Sequence, residues 1–253
     1  MKSYILIAAC FLLAIACKKN EEKQPEGYLS SIRFSNGTSF DFIYNLFYDT
    51  NKKLERISFK GISSSTPFNK HYFLKYDTGS KLDSVILFDS ISNTRLGAVG
   101  ADWTGNNMTF FWTSTYTYDG QNRITNFNTT SGNTFRTVFL PDSTVNYFDE
   151  SGAAPEYLSW VTYRNANVKN PFRIKGNENL FPINNYVFNT INTTCKDGGF
   201  DLAESKSSLY KTDGSIEYVT FNNYEGNISN YPTKQIITYS TSSEVRTLEF
   251  TYQ

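Results

Sequence analysis

Residues 115–125, TYTYDGQNRIT, read as a complete β-hairpin. Tyr116 and Tyr118 alternate with threonines, Asp119-Gly120 supplies a turn, and Ile124 begins the return. Alternation with period two is the mark of a strand with one covered face. Asp and Gly in succession favour a reversal because one bonds the backbone locally and the other accepts positive φ.

The same spacing recurs when the chain is aligned on an aromatic residue that precedes a turn. Tyr48-Asp49 is followed by Leu54 and Ile57, Tyr76-Asp77 by Leu82 and Val85, and Tyr118-Asp119 by Ile124 and Phe127. Tyr210 leads to Ile216 and Val219 through Gly214, and Tyr239 to Val245 and Leu248. A decayed copy starts at Phe148-Asp149, with Ala154 and Tyr157. In a symmetric hairpin the residue at plus six lies opposite the aromatic, a cross-strand pair that contributes about 0.2–1 kcal/mol. The residue at plus nine then falls on the other face by strict alternation. Either both faces of the sheet are partly covered or a bulge re-aims the returning strand.

The pattern Tyr-Asp, turn, Gly/Asn, Arg/Lys, Leu resembles the YD repeat of Rhs-type shells and of small lipoproteins of Bacteroidota. TYDGQNRI at 117–124 and KYDTGSKL at 75–82 carry it best, with VKNPFRI at 168–174 and the ending YPTKQIITYS…EFTYQ. The resemblance spans most of residues 28–253 and implies a β scaffold without catalytic residues. The expected fold class is therefore all-β: an antiparallel sheet of consecutive hairpins, a twisted meander that stays open, folds into a sandwich or closes into a barrel. Residues 90–110 look less regular. Residues 169–205, rich in Asn, Gly and Pro, read as a long loop or insertion that covers an edge.

The first sixteen residues have the parts of an export signal: Lys2, an apolar run from Ile5 to Ile15, and small Ala14 and Ala16 ahead of Cys17. The run is short for a membrane span. It resembles a lipoprotein signal in which Cys17 is lipidated, although Ala14 stands where that pattern usually has leucine. Residues 17–27 contain KKNEEKQPEG, with no aliphatic or aromatic side chain to bury, and read as a flexible tether. The expected location is the outer membrane, lipid-anchored and facing the cell surface. Cleavage before Cys17 leaves Cys195 as a single thiol, so packing rather than a disulfide holds the fold.

Chemistry is sparse. Lysine plus arginine equals aspartate plus glutamate at 24 each, and no basic cluster marks a nucleic-acid partner. No motif for an activated serine, phosphate loop, zinc protease or dinucleotide stands in the chain. One histidine, His71, has no recognisable nucleophile beside it and reads as an exposed or edge-strand residue. Asp197, Asp201 and Glu204 lie near one another but lack the spacing of a calcium loop, so no metal and no cofactor is expected. Asp83-Ser84-Val85 and Asp89-Ser90-Ile91 resemble a bacterial O-glycosylation signal. The sequence argues against an enzyme and for an envelope scaffold or adhesion module. The alternative is a glycan-binding accessory lipoprotein, for which Trp103, Trp112 and Trp160 are the candidate stacking residues, set against the plainer reading of aromatics as core.

Overall fold

The computed structural model describes residues 28–37, 41–61, 69–110, 114–120, 123–128, 132–141, 144–151, 156–172 and 202–253. The signal, Cys17, the tether, Trp112, Cys195, Asp197 and Asp201 lie outside them. The first eight strands are β1 (Leu29–Ser35), β2 (Asp41–Tyr48), β3 (Leu54–Gly61), β4 (Asn69–Tyr76), β5 (Leu82–Asp89), β6 (Thr94–Thr104), β7 (Asn107–Phe110) and β8 (Ser114–Tyr118). They are followed by β9 (Ile124–Asn128), β10 (Thr134–Phe139), β11 (Val145–Asp149), β12 (Tyr157–Lys169), β13 (Leu202–Tyr210), β14 (Ile216–Glu225), β15 (Lys234–Tyr239) and β16 (Ser242–Tyr252). Each pairs antiparallel with the next, and β16 returns to pair with β1, so the meander closes into a barrel. Closure leaves no edge strand among the described residues, and His71 on β4 is accordingly flanked by β3 and β5 rather than sitting at an edge. The irregular-looking stretch at 90–110 holds β6 and β7, joined by a two-residue turn.

The wall sorts its side chains by alternation. Ile32, Phe34, Phe42, Tyr44, Leu46, Ile57, Phe59, Tyr72, Leu74, Val85, Val99, Met108 and Phe110 face inward and merge into one apolar core, which Ile237, Leu248 and Phe250 complete across the seam. Phe172, just past β12, turns into this core and packs edge-on against Phe250. The intervening positions face out and are largely polar. Arg33, Glu249, Lys234 and Glu225 lie in register on four successive strands, β1, β16, β15 and β14, with alternating charge. Arg33 also grips Asp41 with two bonds of 2.6 and 3.1 Å. That carboxylate raises the arginine's affinity for its proton.

A bulge settles the plus-nine question. Tyr48 faces Leu54 but Phe47 faces Arg56, so Glu55 is the extra residue. Asp83 and Thr125 are extra in the same way opposite Lys75-Tyr76 and Thr117-Tyr118. The added residue inverts the alternation, and Leu54 with Ile57, and Leu82 with Val85, are all buried on one face.

The turn residues explain themselves. The Asp at plus one accepts a bond from the amide at plus five: Lys53 to Asp49, Lys81 to Asp77 and Arg123 to Asp119, at 2.8–2.9 Å. The plus-four residue is left-handed, with φ of 63° at Lys52, 67° at Ser80 and 82° at Gly214. The aromatic ends tie each hairpin to the one before. Tyr48 Oη donates to the Leu29 carbonyl at 2.8 Å, Tyr76 Oη to Leu54 at 2.6 Å, and Trp103 Nε1 to Leu82 at 2.9 Å. The plus-five cations reach forward: Lys53 bonds the Ser80 carbonyl and covers the Tyr76 ring, and Lys81 does the same with Gly105 and Trp103.

Copies in the second half depart from this. Tyr239 faces Ser242 across a tight turn, not Val245, which faces Thr238 and is 46% exposed. Tyr210 does face Ile216 beside a bulge, yet Ile216 is 54% exposed. Phe148 faces Leu158, and Ala154 lies outside the described residues. The two sets also lie at opposite ends of the barrel. Tyr48, Tyr76 and Tyr118 end even-numbered strands at one rim, whereas Phe148, Tyr210 and Tyr239 end odd-numbered strands at the other. The termini of the barrel also lie at the first rim, where Gln253 N bonds the Tyr28 carbonyl.

Two substitutions in one hairpin test this account by urea unfolding. Tyr76→Phe strands the Leu54 carbonyl and is expected to cost about 1–2 kcal/mol. Ser80→Gly relieves a left-handed residue and is expected to add about 1 kcal/mol.

Candidate functional site

The tryptophans named by the sequence are not brought together. Trp103 ends β6, its ring nitrogen committed to Leu82 and its faces near Tyr118 and Lys81. Trp160 lies on β12, stacked on Tyr147 at 4.2 Å and flanked by Phe127 and Phe135. Both rings are partly buried among these neighbours.

Inside the barrel the second half of the wall turns polar. Asn222 Nδ2 donates to the buried Glu204 carboxylate at 3.0 Å, Gln235 Nε2 to Asn222 at 2.9 Å, and Tyr224 Oη to the Glu204 carbonyl at 2.6 Å. Arg164 faces Glu204 in register across β12 and β13. These bonds tie β13, β14 and β15 to one another, although Gln235 Oε1 stays buried without a described hydrogen-bond partner. Among the described residues, no three His, Cys, Asp or Glu side chains gather as metal ligands.

The outer wall carries a different feature, a groove of about 550 Å³ over β3, β4 and β5 and the turn into β6. Its floor comes from two rows of outward positions. Arg56, Phe73, Ile86 and Ala98 are in register in one, and Ser58, His71, Phe88 and Arg95 in the next. Phe73 meets Phe88 edge-on at 5.5 Å, and His71 stacks on Phe73 at 6.2 Å. Arg56 lies over Phe47 at 3.9 Å. Lys75 extends the floor toward the first rim, while Ser90 and Asn93 close its opposite end. On β6 the facing positions are Ala98 and Gly100, and a Cβ added at Gly100 would meet nothing within 4 Å. Small residues there leave the groove open on that side.

Its polar groups are unspent. Neither Arg56 nor Lys75 makes an ion pair with a described carboxylate. His71 Nδ1 and Ser90 Oγ are shielded from water, and no described residue bonds to them. Burial, and then the nearby charge of Arg56, lower the affinity of His71 for its proton. The groove thus presents cations, a neutral imidazole and aromatic edges and faces to the solvent. The sequence singled out His71 but not its companions. The clue was the alternation in HYFLKY, where His71, Phe73 and Lys75 are the outward set and Tyr72, Leu74 and Tyr76 the other.

No family model matches the chain, and no curated protein matches it. Among solved structures, the chain is similar to a porin-like protein from Bacteroides uniformis. The TM-score is 0.54 at 11% identity, covering 89% of this chain and 98% of that one. A porin-like protein from Bacteroides vulgatus aligns over the same shares at 12% identity with a TM-score of 0.40. The first likeness supports the fold.

His71 gives a direct readout of the groove, since the chain holds one histidine. Its imidazole proton signals in NMR are expected to titrate below the ordinary value near 6.5, and Arg56→Gln to move the midpoint upward. Because the unfolded chain binds that proton more readily, His71 subtracts stability as pH falls below about 6.5 and has no effect above it. A His71→Gln variant loses that part of the acid sensitivity in thermal melts.

Proposed function

We propose that this protein is a non-catalytic binding and scaffold module of the bacterial envelope. It is a water-facing β-barrel of the YD-repeat lipoprotein type, tethered to the outer membrane through a lipid on Cys17. What supports the reading is the polarity of the wall. A membrane-spanning barrel needs an outward apolar band about 25 Å tall, and each charge on its lipid face costs about 2–4 kcal/mol at mid-depth. This barrel has the opposite arrangement, with its apolar side chains inside and the row Arg33, Glu249, Lys234 and Glu225 outside. Its buried inner face along β1 to β9 also leaves no aqueous passage against that part of the wall.

A tether is the natural complement to such a wall. With β1 starting at the first rim, a lipid on Cys17 would attach the barrel at that rim and leave its side wall free of the anchor. The side wall, including the groove, then faces outward to soluble partners. A glycan-binding role is favoured over a purely mechanical one by the aromatics of the groove and by Arg56 and Lys75, which pair with no described carboxylate.

Two measurements test the reading. The chain from Lys18 onward, which holds all sixteen strands, is expected to stay folded in buffer without detergent. A requirement for detergent, or insertion into phosphatidylcholine vesicles, defeats the water-facing wall. Labelled palmitate is expected to enter the full chain in an exporting bacterium and not its Cys17→Ala variant. Equal labelling of both defeats the lipid tether.

A further inference from the structure

We infer that the outer-wall groove over β3–β5 is a binding site for carboxylated sugars, with Arg56 and Lys75 holding the carboxylate and Phe73 and Phe88 supporting the pyranose ring. The inference rests on the water-facing wall proposed above, because a wall sunk in lipid would close the groove to any polymer.

Four observations converge on this class of ligand. A guanidinium matches a planar carboxylate with two parallel bonds, and Arg56 is held in place by the Phe47 ring beneath it rather than by an acid. Lys75, exposed on the next strand, adds a second positive charge on the same face. Phe73 and Phe88 stand edge to face, so the floor offers a ring surface and C–H edges of the kind that pack against the apolar face of a sugar. The groove volume of about 550 Å³ lies within the ordinary range of small-ligand sites.

Shape and surroundings narrow the source of the carboxylate. The low β6 wall at Ala98 and Gly100 leaves the groove open laterally, which admits an internal unit of a chain and not just a terminal one. A lipid headgroup would have to be met side-on, because an anchor attached at the first rim lies at the end of the barrel and the groove lies on its side wall.

The test is calorimetry and NMR on the chain from Lys18 onward in detergent-free buffer, with tetragalacturonate as the probe. Tetragalactose and phosphatidylglycerol vesicles serve as the neutral and the lipid controls. The expected result is tetragalacturonate binding that weakens with added salt, shifts the His71 signals and raises their titration midpoint. Tetragalactose binds at least about tenfold more weakly, and Arg56→Gln and Lys75→Gln each weaken uronate binding about tenfold, the usual worth of a charged hydrogen bond. Lys75 is exposed and unpaired, so its variant reports on binding even if Arg56→Gln unfolds. A folded, soluble wild type that ignores tetragalacturonate overturns this inference and leaves the function reading standing. So does equal binding by Lys75→Gln, or binding to phosphatidylglycerol vesicles alone. A wild type that is insoluble without detergent overturns both.

Discussion

The barrel depends on the way an aromatic side chain at the end of one strand is bonded to the carbonyl at the start of the strand before it. Tyr48 to Leu29, Tyr76 to Leu54 and Trp103 to Leu82 form a chain of such links around the first rim, each reaching back by 19–22 residues. The bulge makes the link workable. Adding Glu55 or Asp83 lets Leu54 and Ile57, or Leu82 and Val85, share the inner face, so the aromatic body is partly buried while its polar tip meets a backbone acceptor. The aspartate after each tyrosine then closes the turn through the amide at plus five, and the cation at that same position covers the next aromatic. One short motif therefore specifies a turn, a bulge and two neighbour contacts.

The distribution of polarity is what separates this barrel from a membrane channel of similar strand number. Closed walls of sixteen strands generally enclose water and present hydrocarbon to the outside. Here the inner row from β1 to β9 is aromatic and aliphatic and out of reach of solvent, and the outer row carries paired charges. The inner wall of β12 to β15 departs from this with Glu204, Asn222 and Gln235, which are linked by two buried hydrogen bonds. The stability of the molecule thus resides in its interior, and its surface is free to bear a site such as the groove.

Much of this was written locally and could be read locally. Tyr48, Tyr76 and Tyr118 face Leu54, Leu82 and Ile124 because a five-residue turn fixes register without help from the rest of the chain. The bulge could not be told from two covered faces, since both satisfy the same spacing of apolar residues. Tyr239 misled because its turn is shorter than the motif assumes, and Ser242 rather than Val245 comes opposite. Closure was invisible for a different reason: the pairing of β1 with β16 depends on the accumulated twist and stagger of every strand between them. The groove was hidden in the same way. Arg56, His71 and Phe88 belong to three strands, and only register brings them together.

The seam has a consequence for how the protein is made. Ser30 Oγ bonds the Thr251 carbonyl across 221 positions of chain, and the first strand waits for the last before it acquires its second partner. During synthesis the growing sheet therefore carries a free margin whose backbone groups can recruit a neighbouring molecule. Completion is an all-or-nothing event deferred until β16 has emerged. A chain cut short before that strand is a sticky ribbon instead of a vessel.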